Sequence, residues 1–308
     1  MTTMNCSLII KILNLMYYIN KNYGLLCYNI RMSVIYRPCG MAREYSPYAL
    51  NIYIGCSHRC KYCYAPHTLQ KKGEDYFGKP EPRKNILKIL EKDLKKNTYT
   101  EQVLLSFVGD CYCDSADDGQ TVREVLKMLN SFNVPVAILS KGGKKMLRDL
   151  DVFKEFGDRI TIGTTLTFLD EEKSKLWEPN ASLPQDRLET LKILHDHGIK
   201  TFASFEPTIE PEESLGLIRR TLELDCVDHY KIGKINNYKR EDKWQDWAKY
   251  LQDCVDLLRP TGKQVYYKFC LRKLAPNVVL TPQEKNPDEY VVRIKPSEQI
   301  SLFDEISN

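Results

Sequence analysis

The chain has 308 residues, with 45 Lys and Arg against 41 Asp and Glu, for a formal net charge of +4. Its 43% hydrophobic and 28% charged residues are ordinary for a soluble globular protein of one large domain or two small ones. So mild a positive excess does not by itself argue for nucleic acid, which requires a local basic face. The unusual feature is the count of 11 cysteines. An odd, scattered set is not a disulfide framework, and three within eight residues point to a metal or redox site in a reducing cytoplasm.

Residues 5–18 are apolar but interrupted by Lys11, and too short to span a bilayer. The stretch also lacks the layout of a signal peptide. Three readings stand for residues 1–31: an upstream start with Met32 as the true first residue, a helix packed on the domain, or a weak membrane-surface anchor. From about residue 50, short β-rich runs alternate with helical periods. The predicted strands are 51–55, 102–108, 134–139, 160–166, 199–205, 229–232 and 264–269. Between them, Val122, Val125, Leu126 and Leu129 form one apolar helical stripe. Leu188, Leu191 and Leu194 form another, with Pro184 suited to its first turn and Gly198 to its stop. Leu215, Ile218 and Leu222 follow Pro211 in the same way. Such alternation implies a parallel sheet that curls into a full or partial barrel. In such barrels the chemistry lies at the C-terminal strand ends. The predicted organisation is an N-terminal extension (1–35), a barrel domain (36–280) and a flexible tail (281–308) carrying Pro282, Pro287 and Pro296.

Just after the first predicted strand, Cys56, Cys60 and Cys63 form a C-x3-C-x2-C array. Three thiolates on one short loop can converge on one metal centre. In a four-iron cluster, three ligands leave one iron open to a chelating ligand, which the amino and carboxylate groups of methionine suit. The alternative is a Cys3His zinc site completed by His58 or His67.

With Tyr62 before the last cysteine, this array resembles the signature of the radical S-adenosylmethionine (SAM) superfamily. The stretches EYSPYALNIYIGCSHRCKYCYAP, KGGKKMLRDLDVF and LDEEKSKLWEPNASLPQDRLETLKILHDHGIKT are similar to the subgroup related to spore photoproduct lyase, over roughly residues 36–235. The resemblance implies an α/β fold, a partial (β/α)6 TIM-like barrel with terminal extensions. It implies a [4Fe-4S] cluster and SAM as cofactors, and an electron donor such as flavodoxin or ferredoxin. The chemistry implied is reductive cleavage of SAM to methionine and a 5′-deoxyadenosyl radical, which abstracts hydrogen from a substrate.

The resemblance also suggests site residues. Asp110 stands where the family contacts the methionine ammonium; the alternative is a turn or helix-cap Asp. Ser140 and Lys141 end the third strand of the βα series. Lys141 suits the SAM carboxylate or a solvated turn, and Gly142 and Gly143 permit close backbone approach. Thr165 offers a hydroxyl to SAM or is ordinary strand. Arg187 reaches the cofactor or pairs with Glu178. Tyr62 positions the adenine beside Tyr64, and Glu206, with Pro207, lines the SAM or substrate pocket.

In spore photoproduct lyase a cysteine near Asp110 returns a hydrogen atom to the product radical. That cysteine precedes the Asp, whereas Cys111 and Cys113 follow it. They read as hydrogen donors or redox groups, as inert buried thiols, or as ligands of a second cluster. In the tail, residues 299–303 (Gln299, Leu302, Phe303) resemble the bacterial sliding-clamp-binding pentapeptide, or are a local apolar anchor. Lys144, Lys145 and the basic run 83–96 read as solvated helix faces before phosphate contacts. Three functions follow: a radical SAM enzyme acting on nucleic acid (a DNA lesion or base), one acting on a peptide or small molecule, or a non-catalytic iron–sulfur or clamp-binding protein. No membrane partner is expected.

Overall fold

A computed structural model describes residues 34–236 and 246–296. The readings made for residues 1–31 and 299–303 lie outside these residues. Eight strands form one open sheet in simple sequence order. β1 (Ile35–Tyr36) is antiparallel to β2 (Tyr48–Leu50). The rest run parallel: β3 (Val103–Leu105), β4 (Val136–Ser140), β5 (Ile160–Thr165), β6 (Lys200–Thr208), β7 (His229–Lys234) and β8 (Gln264–Tyr267). This is the expected α/β partial barrel, with seven parallel strands and one added edge.

The principal helices are α1 (Ile86–Leu94), α2 (Gln120–Ser131), α3 (Leu150–Phe156), α4 (Glu171–Trp177), α5 (Pro184–Asp196), α6 (Pro211–Leu224) and α7 (Trp247–Leu258). Their apolar stripes meet the outer face of the sheet. Val122, Val125, Leu126 and Leu129 of α2 are fully buried with Val103, Leu105, Val136 and Ile138. Leu188 and Leu191 of α5 pack with Ala203, Phe205, Tyr230 and Ile232. Asp170 caps α4 by accepting from the Lys173 N–H at 2.8 Å, and Asp246 caps α7 by accepting from that of Lys249 at 2.9 Å.

Because strand side chains alternate, the neighbours of those outer residues fill the lumen. Leu104, Ala137 and Phe202 meet Tyr45 there in a separate apolar cluster. Tyr45 enters from a short 3-10 segment, Gly40–Glu44, and its OH reaches Ser204 and Glu206 of β6.

The first predicted strand, 51–55, is displaced: β2 ends at Leu50. Beyond it the Asn51 side chain replaces the ladder, its Oδ1 accepting from the N–H groups of Phe107 and Val108 at 2.8 and 3.2 Å. Residues 281–296, expected to be an extended or poorly ordered tail, pack on the barrel. Thr281 and Glu284 form a capping box, and Glu284 pairs with Arg259 at 2.7 Å. Asp288 pairs with Arg43 at 2.6 Å, and the Gln102 N–H donates to the Val292 carbonyl at 3.0 Å. The proline and charge content that suggested a loose tail is here spent on caps and ion pairs.

Candidate active site

Residues at the C-terminal ends of β2 to β8 surround one cavity of about 450 Å³. Cys56, Cys60 and Cys63 form one wall, on the loop after β2. Lys141 follows β4, Thr165 ends β5, Glu206 lies near the end of β6, Asn236 follows β7 and Lys268 follows β8; all of them line the cavity. Asp110 and Tyr62 line it too, whereas Ser140, Arg187, Cys111 and Cys113 are not among its lining residues.

Two close approaches shape the cysteine wall. A Cβ on Gly109 would sit 2.7 Å from the Gly55 carbonyl, and one on Gly55 would sit 2.9 Å from that of Tyr76. Glycine at both positions lets the turn bearing Asp110 lie against the cluster loop. Asp110 then fastens the two. Its Oδ1 accepts from the Ser140 hydroxyl at 2.6 Å and the Tyr112 N–H at 2.8 Å; its Oδ2 accepts from the Lys141 N–H at 2.8 Å. His58, inside the cysteine array, places Nδ1 3.4 Å from Oδ2.

Burial pushes the Asp110 carboxyl up, but His58, Ser140 and the two N–H groups together hold it below its ordinary value. A carboxylate offers about four acceptor sites. Ser140 and the two N–H groups take three of them, and Asp110 lines the cavity as well. Asp110→Ala would orphan two N–H groups and a hydroxyl, each worth about 1–3 kcal/mol when buried. We expect a loss of roughly 3 kcal/mol on urea unfolding; an unchanged midpoint would contradict the role.

A second buried network holds Tyr62. Its OH donates to Glu178 Oε1, which also accepts from Thr167 at 3.1 Å. Arg187 pairs with Glu178 Oε2 at 2.6 Å and donates to the carbonyls of Thr165 at 2.9 Å and Ser182 at 2.7 Å. Arg187 thus sits behind the cavity wall. Lys141 lies with Nζ 5.5 Å from the Tyr62 ring centroid. Burial pulls its ammonium down, but Cys60 and Glu178 outweigh that and hold it above its ordinary value.

The far wall is polar. Lys268, 1% exposed, donates to Glu206 Oε2; Tyr45 donates to the same oxygen at 2.8 Å, and Asn236 donates to Oε1 at 3.0 Å. Sequence reasoning missed Tyr45, Asn236 and Lys268. Lys268 had a usable signal, since it directly follows β8, but the predicted strand ran past it. Tyr45 had none, because it lies outside the βα series.

Cys111 is buried in the core, its sulfur 4.0 Å from the Ser106 hydroxyl. Cys113 shares an apolar cluster with Cys56. Lys144 pairs with Glu189 at 2.7 Å and Lys145 with Asp114, so both basic side chains are neutralised locally.

The three loop cysteines fit an iron–sulfur cluster. Burial pushes the Cys60 thiol up to about 12 and raises that of Cys63; Cys56 is raised by its hydrogen bond with Cys113 and by burial. Such thiols ionise only when a cationic centre compensates them. Among the described residues, no three His, Cys, Asp or Glu side chains converge on a single metal ion. A cluster asks something different, because each thiolate holds its own iron.

A parallel partial barrel with three thiols at its catalytic end defines a class of cofactor-dependent enzyme folds. Residues 50–224 match the family model described as the radical SAM superfamily. The chain belongs to that superfamily, whose members use a [4Fe-4S] cluster and SAM. It is 32% identical over 163 residues to uncharacterized protein MJ0683 of Methanocaldococcus jannaschii, covering 53% of this chain and 60% of that one. It is 27% identical over 207 residues to uncharacterized protein ORF301 of Acidianus two-tailed virus, covering 63% and 67%. The chain thus spans less than two thirds of the first relative. Solved structures of like fold include Streptococcus suis SuiB bound to S-adenosylmethionine, with TM-score 0.54, 14% identity and coverage of 76% of this chain and 53% of that one. A spore photoproduct lyase mutant gives 0.52, 12%, 71% and 62%. Among the described residues, no helix is long and apolar enough to cross a membrane.

Proposed function

We propose that this radical SAM enzyme acts on nucleic acid, at a DNA lesion or base, by a lyase or base-modifying reaction in the cytoplasm. The observation that carries the enzymatic reading is the ring of Cys56, Cys60, Cys63 and Lys141 around one cavity at the C-terminal strand ends. When bound, the cluster and SAM supply a 5′-deoxyadenosyl radical able to abstract hydrogen. The chain's own residues do the rest. Cys56, Cys60 and Cys63 hold the cluster. Lys141 meets the SAM carboxylate as a point charge. Thr165 and Glu206 would offer polar contacts, and Tyr62 would position the adenine. Ser140, through Asp110, and Arg187, through Glu178, hold that wall in place.

The nucleic-acid class is supported by the resemblance of residues 36–235 to the spore photoproduct lyase-related subgroup, and by the clamp-like residues 299–303. The electron comes from a carrier such as flavodoxin or ferredoxin. SAM cleavage is expected to rise when ultraviolet-treated or untreated DNA is added to the reduced enzyme, read as 5′-deoxyadenosine. Cleavage indifferent to every DNA form would sink the nucleic-acid reading and leave the radical SAM chemistry standing.

A further inference from the structure

The polar far wall of the cavity holds one amide in a fixed orientation. Asn236, half-buried just after β7, lines the cavity. Its Nδ2 donates to Glu206 Oε1 and to the Lys234 carbonyl, both at 3.0 Å, with the Cys270 sulfur 3.4 Å away on the same side. The opposite orientation would set the amide oxygen against a carboxylate and a carbonyl, so the network assigns this one. Oδ1 is then left without a hydrogen-bond donor among the described residues. Glu206, which aims the amide, is itself pinned. Lys268 and Tyr45 both donate to its Oε2, and the Ser204 hydroxyl lies 2.7 Å from the Tyr45 oxygen. Gly233 on β7 makes room for the pair: a Cβ there would sit 3.0 Å from Lys268 Cδ and 3.3 Å from Glu206 Cδ.

We propose that Asn236 reads the exocyclic amino group of a nucleobase through Oδ1, with Glu206 as its positioning residue. This inference rests on the nucleic-acid reading above and narrows it to bases that carry an amino group. An amide that donates to a carboxylate gathers negative charge on its oxygen, so Oδ1 is a strong acceptor. Whatever meets it must bring an N–H. The amino group of adenine or cytosine stands outside its ring and carries two hydrogens, one for Oδ1 and one toward the negative charge of Glu206. The ring N–H of thymine lies between two carbonyl oxygens, and bringing it to Oδ1 would turn one of them toward that charge. A base read on this edge has left its stack and needs a new surface for its rings. Tyr64 and Met41 line the same cavity, 44% and 42% exposed, and offer one.

The test uses the full chain, reconstituted anaerobically with iron and sulfide and given SAM and dithionite. Single-stranded oligonucleotides of adenine, cytosine or thymine alone are added, untreated or ultraviolet-treated. Adenine and cytosine are expected to stimulate 5′-deoxyadenosine formation about tenfold more than thymine. Cytosine with both amino hydrogens replaced by methyl groups should fall to the thymine level. Asn236→Leu removes the acceptor and should abolish the preference. In Glu206→Gln, Lys268 and Tyr45 hold the new amide oxygen, so its N–H groups face Asn236 and turn that amide over; the preference should be lost there too. A variant that merely loosens the barrel would lower every oligonucleotide alike and keep the ratio. Equal or stronger stimulation by thymine in the wild type, undiminished stimulation by the methylated cytosine, or a preference that survives in either variant would overturn the inference and leave the nucleic-acid reading intact. No stimulation by any oligonucleotide would overturn both.

Discussion

Changing any one of Cys56, Cys60 or Cys63 to Ala is expected to abolish reductive cleavage of SAM while leaving the barrel folded. All three thiols line the cavity, and each is held by a different part of the wall. Cys56 packs in an apolar cluster with Cys113, Cys60 shares the cavity wall with Lys141, and Cys63 has its sulfur 3.9 Å from the Tyr76 hydroxyl. A cluster with three protein ligands already leaves one iron for SAM, so a fourth position cannot be spared. Losing an outer-shell partner of a metal typically weakens a site by 10- to 100-fold, roughly speaking, and losing a ligand should exceed that. Cys56 and Cys63 belong only to a small apolar cluster at the cavity wall, apart from the two main cores, so circular dichroism should match wild type. Iron and sulfide content should fall together with 5′-deoxyadenosine formation. Undiminished SAM cleavage in any single variant would remove that cysteine from the ligand set.

Arg187→Ala is expected to destabilise the protein by about 3–5 kcal/mol, the scale set by breaking a buried ion pair from one side. Arg187 is 1% exposed, and so is Glu178. The guanidinium meets one carboxylate and two backbone carbonyls. Truncation would leave the Glu178 carboxylate buried with only Tyr62 and Thr167 as donors. The double variant Glu178→Leu with Arg187→Met should recover much of the loss, because removing both charges ends the desolvation penalty. Urea unfolding of the three proteins decides this. Arg187→Ala should also raise the KM for SAM, since Glu178 is what holds the Tyr62 hydroxyl beside the cysteines. A single variant as stable as wild type would show that the pair carries no such role.

Much of the fold was legible because the barrel repeats one physical pattern. Helix α2 shows this: four apolar residues at helical spacing are all buried against β3 and β4. The cluster loop was legible because cysteine spacing carries chemistry directly. The early end of β2 was not, because the Asn51 side chain takes over backbone pairing beyond Leu50, and nothing in local propensity announces that. The docking of residues 281–296 was hidden for a similar reason: Asp288 and Glu284 find Arg43 and Arg259 far away in sequence. Within the site, strand-end logic found Lys141, Thr165 and Glu206. Pairing with Glu178 was one of the two sequence readings of Arg187, and the structure shows it. Strand-end logic could not tell that Asp110 accepts from Ser140 and two backbone N–H groups, because that depends on which groups converge in space. The polar far wall of Tyr45, Asn236 and Lys268 escaped because Tyr45 arrives from a segment outside the repeating units.

Radical SAM chemistry at this site is tested most directly by 5′-deoxyadenosine formation by the anaerobically reconstituted full chain, given SAM and dithionite. We expect 5′-deoxyadenosine and methionine in equal amounts, dependent on reductant and absent from Cys60→Ala. A fully loaded, reduced protein that binds SAM but yields no 5′-deoxyadenosine would contradict it, as would product formation that survives loss of Cys60.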